Sequence, residues 1–215
     1  MFALFNKSVA VAVMSLAVLA TGCGSSGQAK EKEAAVEGIV DVTKGLEKGQ
    51  ATCDKVVASI DQLQAGGDLN AAFKNYTATV AEVEAAGKGV ASRRESMKNN
   101  REAYIAKWQK DLESIQNPDV RAALAERKQK VAADFDQIGR SSDALRDAYT
   151  PLLKDLQEIQ KGLALDVNPA GVTAMKKPLD RAKAEATTLK AKIATLQGEL
   201  TAIAGSMSGK AAPAK

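Results

Sequence analysis

Two thiols and no imidazole set the limits of the chemistry open to this chain. Cys23 and Cys53 are its strongest nucleophiles, and the sequence contains no histidine to activate either. The commonest general base is therefore missing, and Ser-His and Cys-His pairs are ruled out. Helical di-iron sites of the Glu-x-x-His kind are ruled out with them. A thiolate zinc site needs several cysteines close together, and Cys53 has no cysteine near it in sequence. Asp166-Val167-Asn168 begins like a calcium loop, but Ala170 and Lys177 stand where oxygen ligands are required. Gly205-Ser206-Met207-Ser208-Gly209-Lys210 is one residue short of a phosphate-binding loop and lacks the Ser or Thr that should follow the lysine. The carboxylates lie on amphipathic stretches, where they serve as solvated faces. The expectation is no catalytic residue, no metal site and no cofactor.

What remains for Cys23 is suggested by its surroundings. Met1 to Thr21 carries Lys7 and then an apolar run, Ser8 to Leu19, too short for a comfortable permanent span. The run ends in Leu19-Ala20-Thr21-Gly22-Cys23, which resembles the lipobox of bacterial lipoproteins, with Ala20 where leucine is commoner. The resemblance implies a diacylglyceryl group on the Cys23 sulfur after removal of residues 1–22. A thiolate is the group able to make that bond. An ordinary secretory signal with a chance cysteine is the alternative. Several acyl chains, at about 0.8 kcal/mol per buried CH₂, suffice for a lasting anchor. Residues 23–31 then read as the lipidated cysteine and a flexible Gly/Ser tether. Gly24 stands where aspartate would resemble an inner-membrane retention signal. In a host with two membranes, the expected location is therefore the outer membrane, facing the periplasm.

Charge narrows the partners. The net charge of +4 falls to +3 when Lys7, the one charged residue of the first 22, is removed. Both signs are mixed throughout, which argues against nucleic acid. Alanine, lysine, glutamate, glutamine and leucine abound and aromatics make up 4%, a composition of long helices. With Cys23 used for lipid, Cys53 is left alone in an oxidising compartment. Its two readings are a small buried residue and an intermolecular disulfide.

The elements that must carry these residues follow from a seven-residue apolar repeat in four segments. In the last segment Val172, Leu179, Ala186, Ile193 and Leu200 form one seam line, and Met175, Ala182, Leu189, Leu196 and Ile203 the other. The third segment pairs Val131, Ile138, Leu145, Leu152 and Ile159 with Phe135, Ser142, Tyr149, Leu156 and Leu163. The first has Ile39, Leu46, Cys53 and Ile60 beside Val42, Gly49, Val56 and Leu63. The second has Phe73, Val80, Gly87, Arg94, Arg101, Trp108 and Ile115 beside Tyr76, Val83, Val90, Met97 and Tyr104. Gly66-Gly67-Asp68, Asn117-Pro118-Asp119 and Asn168-Pro169 break the pattern with turn and capping residues. Short connections make neighbours antiparallel. The reading is all-α: an elongated up-down four-helix bundle or coiled coil over residues 32–205, with helices near 32–65, 68–116, 119–165 and 169–205. Pro151 and Pro178 fall inside the pattern and predict kinked, continuous helices, with a later helix start as the rival for Pro178. Residues 206–215 read as a disordered tail.

Unequal lengths single out two groups of residues. The middle helices outrun the outer two, so the hairpin near 104–130 should protrude as a two-helix tip at the end that carries both termini. Tyr104, Trp108, Leu112 and Ile115 are its candidate contacts for a membrane or protein partner. The competing reading packs Trp108 between the second and third helices, or starts the first helix earlier. Arg94 and Arg101 break the seam, and folding about Pro118 brings Arg94 opposite Ser142, with Asp143 beside it. Arg101 falls near Asp134 and Asp136. A register-fixing polar layer of Arg94, Arg101, Ser142 and Asp143 is one reading. Arginines swung out to solvent, or an anion site, are the others.

Gly66-Gly67-Asp68-Leu69 followed by Phe73 and Tyr76, and Tyr149 to Leu165 followed by Asp166 to Val172, resemble an uncharacterised bacterial family, domain of unknown function 2959. The similarity covers roughly residues 36–205, with Pro169 as a departure between Asn168 and Ala170. It implies a helical exported protein and supplies no activity or site. The expected role is that of a lipid-anchored cell-envelope protein with a structural or protein-interaction function. The membrane is engaged through lipid on Cys23, alongside a protein partner or a second copy. A BAR-like membrane-shaping module and a carrier of an apolar ligand between splayed helices are the alternatives.

Overall fold

The computed structural model describes residues 26–208, so the expected signal segment, Cys23 and the last seven residues lie outside the described part. Five helices follow in order: α1 (Ser26–Ala65), α2 (Leu69–Glu113), α3 (Pro118–Leu165), α4 (Pro169–Ala174) and α5 (Lys176–Ser208). No strand occurs among the described residues. The four long rods pack side by side as an all-α helical bundle, α1 against α2 and α5, and α3 against α5 and α2. The core is one continuous column of the seam residues. Leu46, Ile60, Leu63, Leu152, Leu156, Leu179 and Leu200 are fully buried.

The turns form where the residues dictate. Gly66 and Gly67 both adopt positive φ, 79° and 81°, which a side chain would resist. Asp68 then caps α2 by accepting from the Ala71 N–H at 3.0 Å. Asn117 accepts from Asp119 and Val120 ahead of α3, and Asn168 accepts from Gly171 ahead of α4. Each is followed by proline in the first helical turn, where no donor is needed.

Three sequence expectations are corrected. The flexible tether was expected to reach residue 31, but α1 begins at Ser26. Gln28-Ala29-Lys30-Glu31-Lys32-Glu33 is a run of strong helix formers, and it extends the helix back through Gly27. At the other end α5 continues to Ser208 and buries Met207, so the loose tail cannot start at 206. Finally, the helix through Pro178 is not continuous. The chain breaks at Met175, which places Pro178 in the first turn of α5, where its missing N–H costs nothing. Val172 and Leu179 nevertheless stay buried, so the seam runs in phase across the break. Pro151, by contrast, sits inside an uninterrupted α3.

Candidate functional site

The seams of the bundle are unequal. α1 and α2 lie close because Gly38 presents no side chain: a Cβ there would stand 3.1 Å from the Met97 Cα. α2 and α3 meet over much less of their length. The cause is legible on α2. In its line Tyr76, Val83, Val90, Met97 and Tyr104 all but Val90 are buried, whereas in the other line only Val80 is buried and Phe73, Gly87, Arg94, Arg101, Trp108 and Ile115 are half-buried. At Gly87 the Tyr149 ring takes the space a side chain would fill, and arginine turns its head to water.

Near the turn end this seam is closed by the buried Tyr76, whose hydroxyl donates to the Leu156 carbonyl at 2.9 Å. Burial and the nearby Asp155 raise the pKa of that phenol, which keeps it a donor. At mid-height the seam opens into an apolar chamber of about 180 Å³. Gly49 and Cys53 of α1, Gly87 of α2, Ser142 and Tyr149 of α3 and Ile193 of α5 are among its walls. The Tyr149 ring lies against Gly87 so closely that a Cβ there would stand 2.2 Å from the hydroxyl. Burial, and then Glu84, raise the pKa of Tyr149. Cys53 is 4% exposed, and burial followed by Asp54 pushes its thiol up to about 11, against the influence of Lys190. It is therefore a neutral wall residue with little thiolate to react.

Arg94 lies on the wall of the chamber and also borders a second, polar hollow of about 280 Å³. This hollow is lined by the cations Arg94, Lys98, Arg101 and Arg140 and the anions Asp136 and Asp143. Arg94 donates to Asp143 at 2.8 Å, and Arg101 to Asp136 at 2.5 Å. Asp143 is shared, because Arg146 approaches the same oxygen at 3.3 Å. The Arg94 and Arg101 side chains are 36% and 27% exposed, so they are not charges sealed in a core layer. Ser142 is buried at the chamber wall, and Asp143 is half-exposed at the mouth. The Arg101 Nε is buried without a hydrogen-bond partner.

The hairpin tip is shorter than the sequence led us to expect. The first turn of α1 reaches the level of Tyr104 and Lys107, where a Cβ on Gly27 would meet Lys107 Cε at 3.1 Å. Across the bundle, Arg127 donates to the Ser206 carbonyl at 2.8 Å. Two helices are thus left alone only beyond about these levels. Tyr104 is buried, and the half-buried Trp108 packs against it, with ring centroids 5.4 Å apart at 51°. Leu112 is buried but lies outside the continuous core, and Ile115 is half-buried. The exposed apolar residues of the tip are Val120 at 45% and Leu124 at 37%, on the α3 side.

The chamber walls Gly49, Gly87 and Tyr149 were not among the site residues expected from sequence. Their signal was present, since two glycines interrupt apolar seam lines. Among the described residues no group of three His, Cys, Asp or Glu is placed to hold a metal ion. No described helix is long and apolar enough to cross a membrane.

No curated protein and no solved structure matches the chain. Residues 25–204, which take in the whole column of seam residues up to Ile203, match the model of a family described as Protein of unknown function (DUF2959). The chain therefore belongs to the DUF2959 family, helical here over the described residues of the matched region apart from their turns.

Proposed function

We propose that this protein is a lipid-anchored helical bundle of the cell envelope that acts by binding a protein partner, without catalysis. In a two-membrane host it sits on the outer membrane and faces the periplasm. The observation that carries the reading is a juxtaposition. α1 begins at Ser26, only three residues after Cys23, and its first turn lies at the end of the bundle that carries the α2–α3 tip. Three residues span at most about 11 Å. Acyl chains on Cys23 would therefore hold Val120, Leu124 and Ile115 close to the membrane surface. The rods extend from that point by roughly 70 Å, at about 1.5 Å per residue over the 45 and 48 residues of α2 and α3. A rod of that length fixed at one end offers long polar faces to a partner.

Labelled palmitate fed to the host tests the anchor. Incorporation that disappears in Cys23→Ser is expected, and an unlabelled wild-type protein overturns the reading. Photo-crosslinkers at positions 115, 120 and 124 in intact cells should capture a discrete adduct.

A second reading, carriage of an apolar ligand, is favoured by one observation, the chamber walled by α1, α2, α3 and α5. A well-packed bundle of this size has few voids larger than a water molecule.

A further inference from the structure

We propose that the α2–α3 opening binds a single-tailed amphiphile, with the tail in the chamber and an anionic head, carboxylate or phosphate, on Arg94 and Arg101. This rests on the carrier reading and specifies its ligand.

Three features converge. First, the chamber is apolar and of useful size. At about 180 Å³, it is slightly larger than the roughly 150 Å³ engineered cavity that stays dry and admits benzene. It takes a ring or the end of an alkyl chain, and its exposed lining residues, Ala91 of α2 and Arg146 of α3, place its opening at the α2–α3 seam. Second, the polar hollow next to it has an excess of positive charge. The lining sets Arg94, Lys98, Arg101 and Arg140 against Asp136 and Asp143; Lys98 also pairs with Glu95 at 3.8 Å, and Asp143 divides itself between Arg94 and Arg146. The Arg101 Nε has no partner. A guanidinium fork matches a carboxylate or phosphate edge. Third, Arg94 lines both spaces, so one side chain joins the end of the tail site to the start of the head site. The hollow lies on the side of the chamber nearer the α1 N-terminus, because Arg101 and Asp136 are the more tip-ward pair. A ligand would therefore enter head-outward toward that end.

The test is calorimetry on the full chain carrying Cys23→Ser, in detergent-free buffer. The probes are octanoate, octyl phosphate and octanol. At least tenfold tighter binding of one anion than of octanol is expected, and the tighter anion identifies the head. Arg94→Gln should abolish that preference while octanol binding stays within twofold. Ala86→Phe, which adds bulk at a half-buried wall position of α2, should remove all three. Circular dichroism on each variant confirms that it is folded. Equal affinity for anions and octanol overturns the head assignment and leaves the carrier reading standing. Anion binding that survives Ala86→Phe places the ligand elsewhere and overturns the proposal. No saturable binding of any probe removes the carrier reading itself. None of these outcomes touches the anchor, which the palmitate experiment decides separately.

Discussion

The α1–α2 seam and the α2–α3 seam share one helix yet behave oppositely. Against α1, α2 offers Val90 and Met97, and Gly45 and Gly38 let the two helices close in. Against α3 it offers Gly87, Arg94 and Arg101, and the gap that results holds a chamber and a charged hollow. The same heptad spacing thus gives a sealed interface or an open one, depending on the volume and charge at a few seam positions. Gly38 lets the α2 backbone approach, whereas Gly87 admits the Tyr149 ring of α3.

This contrast can be broken from either side. The largest loss is expected from Leu156→Ala, at a fully buried position on the closed stretch beside Tyr76. It should cost about 2–5 kcal/mol in chemical denaturation followed by circular dichroism. Gly38→Val should cost about 1–3 kcal/mol, since the added carbons press on the α2 backbone at Met97, which cannot swing aside. Gly87→Ala should be milder despite its closer clash, because Tyr149 is half-buried at the open seam and can rotate out. The gain of about 1 kcal/mol in helix propensity offsets part of that loss. If Gly87→Ala proves as costly as Gly38→Val, the two seams are not different in kind. Arg94→Leu should change stability by less than about 1 kcal/mol, because its pair with Asp143 is substantially exposed. A large loss there would restore the buried polar layer.

The smallest effect is a pH dependence at the α3–α5 seam. Burial raises the Glu185 carboxyl above its ordinary 4.5, Asp155 adds to the rise, and Arg181 opposes it. A raised carboxyl pKa means that the folded state holds the proton more tightly than the unfolded chain does. Its contribution is full below the ordinary value and is lost as pH rises through the raised pKa. Glu185→Gln should therefore raise the melting temperature slightly at pH 7, within about 0.5 kcal/mol, and leave it unchanged well below pH 4. An equal shift at both pH values would show that the carboxyl is not the cause.

Much of this fold was readable in advance, for a specific reason. A rod that is buried along one stripe must repeat its apolar residues every turn or two, so Val172 to Ile203 announced a helix and its buried face together. Caps such as Asp68 and Asn168 act within three residues and are equally local. The misjudged ends have a different origin. The extension of α1 to Ser26 came from propensity that outweighed Gly27. The break at Met175 came from Pro178 taking a cheaper place in a first turn. The opening between α2 and α3 was foreshadowed by Gly87, Arg94 and Ser142. Whether such residues form a packed polar layer, a solvent-facing pair or a cavity depends on how far apart two helices stand.

The amino-acid order by itself determined four rods, their inward faces and their turns, because all of these follow from interactions between near neighbours along the chain. Only the tertiary structure decided that Gly49, Gly87 and Tyr149 surround a void and that Arg94 stands between it and a cationic hollow. Those residues are brought together from helices far apart in sequence, and interaxial distance is a property of all four rods packing at once.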